Sequence, residues 1–288
     1  MFIKHKQLFL IIDGNAYVYR AYYALKYFPK NNNKSLNAVY GFIQFLFKIK
    51  KIFQPDYILV CFDYPARYFR HEIFLDYKQN RKPLEIDIIE QMTIIREECL
   101  NALNIQYLEI KGYEADDLIA TIVTKNSLFN NLDSIIVSGD KDVLQLIDQK
   151  IRVWDDSKKI MYSNKEVQLK YGVSPTQLID VFALTGDIVD NIPGIKGIGL
   201  KTAVKLVNTF GTIETIFRNM STIKGNLNKL LHLGKREAKL SKSLIKLYTA
   251  VPLNFKLNDY KTHDLNVNKA YTFFQKYKFN SFIQKYCN

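Results

Sequence analysis

Gly112–Tyr113–Glu114–Ala115–Asp116–Asp117 puts three carboxylates within four residues, between the apolar run Ile105–Ile110 and a helical pattern from Leu118 to about Lys125. The run reads as a short strand, and Gly112 as the turn out of it. Glu114 and Asp117 are three apart and so share a helix face. Asp116 lies off that face in the same first turn. Acids in a first turn complement the helix dipole, worth about a few tenths of a kcal/mol each. Capping would account for one such acid. What matters is whether other strand ends carry acids too.

Outward from this stretch the chain alternates. Leu8–Ile12, Tyr57–Phe62, Ser134–Val137 and Ile151–Trp154 are short apolar runs that read as buried strands. Helical patterns open at Gly14 and span Ala38–Phe53 and Ile86–Leu103, while Phe28–Asn33, with Pro29 and three Asn, reads as a loop. Alternation to about residue 155 predicts an α/β fold with a twisted, mostly parallel sheet flanked by helices. From about Ser163 the pattern changes to short helices. Pro175–Leu184, Lys201–Phe210, Thr212–Phe217, Lys235–Tyr248 and Lys269–Tyr277 predict a second, helical lobe.

The functional crevice of an open α/β sheet lies beyond the carboxyl ends of its strands. Asp13 ends the first run, Asp63 follows the second, and Asp140 and Asp142 follow the fourth. Asp187 and Asp190, again three apart, come from the helical part. Nine acids on one rim repel one another unless cations lie between them. The net charge of +13 makes an acidic pocket hard to explain as general solvation. Hard oxygen ligands favour Mg²⁺ or Mn²⁺, and two such ions suit phosphodiester hydrolysis. No His or Cys is placed to suggest zinc.

The excess of positive charge points to a polyanion such as nucleic acid or an anionic membrane surface. Between Ser221 and Asn258 there are eight Lys or Arg against one acid, Glu237. Lys78 and Arg81 are placed to stabilise charge on a transferring phosphoryl group. Among the aromatics around them, Phe69, Phe74 and Tyr77 either stack unpaired bases or belong to the core. Gly194–Ile195–Lys196–Gly197–Ile198–Gly199 precedes Lys201 and Thr202 at a helix start, a turn whose N–H groups suit a phosphate backbone. It is not a nucleotide fingerprint, because no buried strand leads into it. Three scattered cysteines, Cys61, Cys99 and Cys287, offer neither a disulfide framework nor zinc spacing and imply a reducing, cytoplasmic setting. After Lys4, His5 and Lys6, the five apolar residues Leu8–Ile12 are too few for a signal-peptide core, and no run approaches a membrane span.

Ile12–Asp13–Gly14–Asn15–Ala16–Tyr17, Phe69–Arg70–His71–Glu72 with Tyr77–Lys78–Gln79–Asn80–Arg81, the acidic stretch itself, Ser138–Gly139–Asp140–Lys141–Asp142, and Thr185 through Gly199 together resemble the 5′-nuclease domain of bacterial DNA polymerase I. That domain is grouped with the flap endonucleases and phage 5′-exonucleases. The resemblance runs in order over about residues 7 to 250. It implies an α/β catalytic domain over 1–165 with a helical arch at about 64–96, a helix–three-turn–helix DNA-binding domain over 166–260, and a helical extension over 261–288. It assigns Asp13, Asp63, Glu114, Asp116 and Asp117 to one metal region, and Asp140, Asp142, Asp187 and Asp190 to the other. Lys78, Arg81 and Asp116 become catalytic. Arg70, Tyr77, Lys78 and Arg81 become DNA contacts of the arch. Gly194, Lys196, Gly197, Gly199, Lys201 and Thr202 become duplex contacts, with a K⁺ ion on the carbonyls of the turn. Leu200 stands where an acid is common in the family.

The implied activity is Mg²⁺-dependent 5′–3′ exonuclease action on double-stranded DNA with 5′ ends, nicks or flaps, with flap endonuclease activity, in primer removal and repair. The end of the chain at Asn288 suggests a free-standing monomer working beside a separate DNA polymerase. Two alternatives are a ribonuclease of similar acidic fold and a non-catalytic DNA-binding module. The 194–202 turn favours B-form duplex over RNA, and the full set of nine acids argues against an inactive relative.

Overall fold

A computed structural model describes residues 6–25 and 35–287, so the loop expected over Phe28–Asn33, and Lys4 and His5, lie outside the described residues. β1 (Gln7–Asp13) leads into α1 (Gly14–Ala24) and α2 (Asn37–Phe53), followed by β2 (Tyr57–Cys61), α3 (Phe69–Ile73) and α4 (Ile86–Ile94). α4 continues through a π turn, Ile95–Cys99, into α5 (Leu100–Ala102), so the long helix expected over 86–103 carries one irregular turn. Then come β3 (Gln106–Leu108), α6 (Ala115–Asn126), β4 (Leu132–Val137), a 3₁₀ turn at Asp142–Leu146, β5 (Ile151–Asp155) and β6 (Ile160–Tyr162). The helical part holds α7 (Asn164–Tyr171), α8 (Leu178–Thr185), α9 (Leu200–Phe210), α10 (Ile213–Arg218), α11 (Asn226–Leu233) and α12 (Lys235–Ile245). α13 (Val267–Lys276) and α14 (Asn280–Tyr286) close the chain.

The six strands form one sheet in the order β3-β2-β1-β4-β5-β6. All neighbours run parallel except β6, which pairs antiparallel with β5. Because successive side chains alternate faces, Phe9 and Ile11 enter one core layer and Leu10 and Ile12 the other. The first layer contains Leu118 and Ile122 of α6 and continues into the helical part through Val181, Leu184 and Leu244. The second contains Phe42 and Leu46 of α2 and Phe273 and Phe274 of α13. α14 packs on α2, with the Tyr286 and Phe47 rings stacked at 3.9 Å. A sheet covered on both faces explains why its strands read as unbroken apolar runs.

Five elements have no counterpart in the sequence pattern: β6, α3, α7, α11 and α14, none longer than eight residues, too short for a periodicity to register. α6 starts at Ala115 rather than Leu118, because Glu114 is its N-cap and forms a reciprocal capping box with Asp117. α12 stops at Ile245, short of Tyr248, because Lys246 turns extended (φ −63°, ψ 120°). Among the described residues no helix is long and apolar enough to cross a membrane.

The register sets Asp13 opposite Cys61 and Ile12 opposite Val137, so β1, β2 and β4 end level. Strand order runs from β1 to β2 and β3 on one side and to β4 and β5 on the other. β1 and β4 therefore flank the switch point where such sheets open a crevice.

Candidate active site

Asp13 is at once the last residue of β1 and the N-cap of α1, accepting the Ala16 N–H at 3.1 Å and the Ser138 hydroxyl at 2.8 Å. Ser138, directly after β4, also accepts the Asp140 N–H at 3.0 Å. One hydroxyl thus ties the acids of the two central strands together. Asp63 is held from both sides. Its carboxylate accepts the Ala115 N–H at 2.7 Å and the Asn15 amide at 3.1 Å, while Asn15 Oδ1 accepts the Asp63 N–H at 3.0 Å. Asp140 Oδ1 accepts the Asp142 N–H at 2.8 Å. The acids of β1, β2, α6 and the β4 loop share one rim, as the strand-end positions require.

The helical part adds its two acids through a tight turn. Asp187 and Ile192 exchange backbone hydrogen bonds of 2.9 and 2.7 Å. Behind the turn, Gly186 and Gly194 cross so closely that a Cβ on Gly194 would lie 2.3 Å from the Gly186 nitrogen. Both have positive φ, +70° and +59°, which no other residue adopts as easily. The Gly194 N–H donates to Ser241 at 2.9 Å and is buried, so Gly194 shapes the turn and is not a phosphate contact as expected. Lys196, Gly197, Gly199 and Lys201 are exposed, and Thr202 is half-buried. Gly199 caps α9 without a side-chain acceptor.

The segment Asp76–Arg81 locks onto that turn. The Lys78 N–H donates to the Asp190 carbonyl at 2.9 Å, Asn80 to the Ile188 carbonyl at 3.0 Å, and Asn191 to the Asp76 carbonyl at 2.7 Å. Arg81 meets Asp190 through Nε at 2.8 Å and Nη2 at 2.6 Å. Lys78 sits in the left-handed region (φ 58°), which turns its side chain onto Glu114.

Three expected roles change here. Arg70 is 1% exposed and cannot reach DNA. Its guanidinium donates to both Asp117 oxygens at 2.6 and 2.8 Å, to Glu114 at 2.7 Å and to the Leu244 carbonyl at 2.7 Å. Asp117, expected as a metal ligand, is fully buried, with both oxygens on Arg70 and a third donor, the Tyr248 N–H, at 2.9 Å. Tyr77, expected to touch DNA, is buried with its hydroxyl donating to Glu114 at 3.1 Å. A charged or aromatic residue next to a phosphate site reads as a contact in sequence. Here tertiary packing turned all three inward.

The electrostatics divide the acids in two. Burial alone would raise Glu114, but Lys78 and Arg70 outweigh it and hold it below the usual carboxylate range. Burial likewise opposes Lys141 at Asp187, and the lysine wins. The others go up. Burial, reinforced by Asp63 and Asp140, pushes Asp13 to about 7. Burial and Asp140 push Asp142 to about 7. Asp116 rises well above its ordinary value through burial and then Asp140, Asp13 and Asp63, and Asp63 rises through burial.

Among the described residues no three His, Cys, Asp or Glu side chains stand close enough to hold an ion as placed. Arg70, Lys78, Arg81 and Lys141 are paired with Glu114, Asp117, Asp190 and Asp187. The donor set nonetheless fits hard divalent cations: it is all-carboxylate, its pKa values are raised by burial and mutual repulsion that a cation would relieve, and Asp142 Oδ1 is buried without a hydrogen-bond partner. Asn15, Ser138 and Lys141 stand inside motifs read from the sequence but without a role there, and Ser241 stands in none. Only their place beside strand-end acids could have flagged the first three.

Two family profiles match in succession. Residues 8–172 match the 5′–3′ exonuclease N-terminal resolvase-like domain, and 173–268 match the 5′–3′ exonuclease C-terminal SAM fold. The chain is 39% identical over 284 residues to a DNA polymerase I of Caldicellulosiruptor bescii, covering 96% of this chain and 33% of that protein. The chain thus spans about a third of the polymerase relatives it matches. It is 34% identical to a 5′–3′ exonuclease of Aquifex aeolicus, covering 96% of this chain and 93% of that one. The fold is that of the bacteriophage T5 D15 flap endonuclease, solved with DNA and metal ions (TM-score 0.70, 23% identity, 83% of this chain and 89% of that one).

Proposed function

This chain belongs to the 5′–3′ exonuclease family, and from that membership and the rim of unpaired carboxylates we propose that it is a Mg²⁺-dependent 5′–3′ exonuclease on double-stranded DNA that also cuts 5′ flaps. The observation that carries this reading is the set Asp13, Asp63, Asp116 and Asp142, each raised by burial, with neighbouring carboxylates adding to it. Such a set calls for cations from outside. Asp13, Asp63, Glu114 and Asp116 would hold one divalent ion, and Asp140, Asp142, Asp187 and Asp190 the other, with Mn²⁺ able to substitute. When bound, such ions neutralise charge on the scissile phosphate and lower the pKa of an attacking water.

The remaining chemistry belongs to side chains of this chain. Asn15 and Ser138 keep Asp63, Asp13 and Asp140 in fixed orientations. Lys78 and Arg81 bring donors to the same rim, where they suit phosphate oxygens as charge develops. Lys196, Gly197, Gly199, Lys201 and Thr202, at the uncapped start of α9, suit sequence-independent grip on a duplex backbone, with K⁺ on the carbonyls of that turn. Products carry a 5′-phosphate. Nicked, gapped and flapped duplexes are the substrates, removal of primers beside a separate polymerase is the role, and the three free thiols suit the cytoplasm.

A labelled 5′-flap duplex with Mg²⁺, against EDTA, tests the reading. Wild type should release flap and mononucleotide products, and Asp116→Asn should not. Undiminished cleavage by the variant would remove the site assignment. Absence of cleavage by wild type with Mg²⁺ or Mn²⁺ would remove the activity.

A further inference from the structure

Lys141 lies between Asp140 and Asp142 in the loop after β4, and the chemistry of cleavage gives it no task. Its side chain crosses to the helical part. There it pairs with Asp187 Oδ2 and stands 3.4 Å from Asp142 Oδ1, with 35% of the side chain exposed. Among the described residues it is the one cation paired with Asp187 or Asp142. Glu114, by contrast, keeps Arg70 if Lys78 leaves, and Asp190 has Arg81. The pairing is incomplete on its own terms, because Asp142 Oδ1 is buried and accepts no hydrogen bond. Lys141 offsets charge there without satisfying the oxygen.

We propose that Lys141 is a built-in counter-cation of the second acidic region, which joins the β4 loop to the Asp187 turn when no divalent ion is present and must be displaced for one to bind. It is a residue that sets metal affinity, not a catalytic one. The proposal rests on reading Asp140, Asp142, Asp187 and Asp190 as a metal region. Displacement needs somewhere for the ammonium to go. Nζ already lies 5.1 Å from the centroid of the Phe182 ring, and the exposed part of the side chain is free to swing to water. A divalent ion brings twice the charge to the same oxygens and can take up Asp142 Oδ1 as well. The exchange therefore favours the metal, with Lys141 setting how much metal is needed.

Titration calorimetry of the full chain with Mn²⁺, at low ionic strength and without DNA, tests this. Lys141→Met should bind Mn²⁺ about five-fold more tightly than wild type, the size expected for losing one half-exposed competing ion pair. Its melting temperature in EDTA should fall, and Mn²⁺ should restore it by a larger shift than in wild type. Lys141→Gln, which can still hydrogen-bond Asp187, is the second variant and should move in the same direction by less. Unchanged or weaker Mn²⁺ affinity in both variants overturns the role of Lys141 and leaves the metal region standing. No Mn²⁺ binding by wild type overturns both.

Discussion

Asp116 and Asp117 are neighbours on one helical turn, yet they live in opposite electrostatic settings. Asp117 faces Arg70 and the Tyr248 N–H, with every oxygen engaged. Burial, and then Asp140, Asp13 and Asp63, push Asp116 toward the protonated form. The first corner carries its own cation and is complete. Among the described residues the second carries no cation of its own, and on the proposed function cations from outside would complete it. A carboxylate's type and position put it on the rim, but the presence of an internal cation decides whether it holds the fold or does chemistry. Experiments that exchange the two conditions separate them most directly.

The largest effect is expected at the closed corner. Arg70→Met would leave Glu114 with Lys78 alone and Asp117 buried with no cation, and would orphan the Leu244 carbonyl. Breaking a buried pair in this way costs about 3–5 kcal/mol. The urea midpoint should fall accordingly, and a loss below about 1 kcal/mol would mean that Arg70 does not hold this corner. At the open corner the sign reverses. Asp116→Asn removes a repelling charge, so the melting temperature in EDTA should hold or rise. Cleavage should fall by about 10²–10³, or about 3–4 kcal/mol of barrier. A variant that melts lower and still cuts would invert the assignment of the two corners.

Much of this is legible in the sequence alone. Leu8–Ile12, Tyr57–Phe62 and Ser134–Val137 are apolar without interruption, as strands covered on both faces must be, and Asp13, Asp63 and Asp140 stand at their ends. The direction of charged side chains is not legible there. Arg70 sits among basic and aromatic residues that read as a surface for nucleic acid, and its burial depends on Leu244, which lies 174 residues away. Asp117 looks equivalent to Asp116 because spacing along a helix tells which residues share a face, not what that face meets. Asn15 and Ser138 carry no charge, so their place in a motif does not show that their hydrogen bonds fix three of the acids. β6 has three residues, fewer than any alternation can show.

Lys78 lies between the two corners, and its removal is expected to act more mildly. Glu114 keeps Arg70, so Lys78→Ala should cost about 1 kcal/mol of stability or less. Turnover should drop by about 10–100-fold while duplex affinity stays within about two-fold, because the lysine acts where charge develops rather than where the duplex is held. Equal losses in both would make it a simple backbone contact.

The smallest effect is expected farthest from either corner, at the start of α9. Lys196 and Lys201 are exposed, flank the glycine turn, and form no ion pair with Asp or Glu among the described residues. If they grip phosphates, each substitution by Ala should weaken duplex binding only a few-fold at moderate salt. It should also reduce the slope of log affinity against log salt by about 1 for each phosphate that is no longer neutralised. Single-turnover cleavage at saturating enzyme should not change, since neither side chain reaches the carboxylate rim. Charge outside the rim would then govern binding alone, and the rim cleavage alone. A fall in single-turnover rate with an unchanged salt slope would instead tie the α9 turn to the chemistry and erase the division between grip and cleavage.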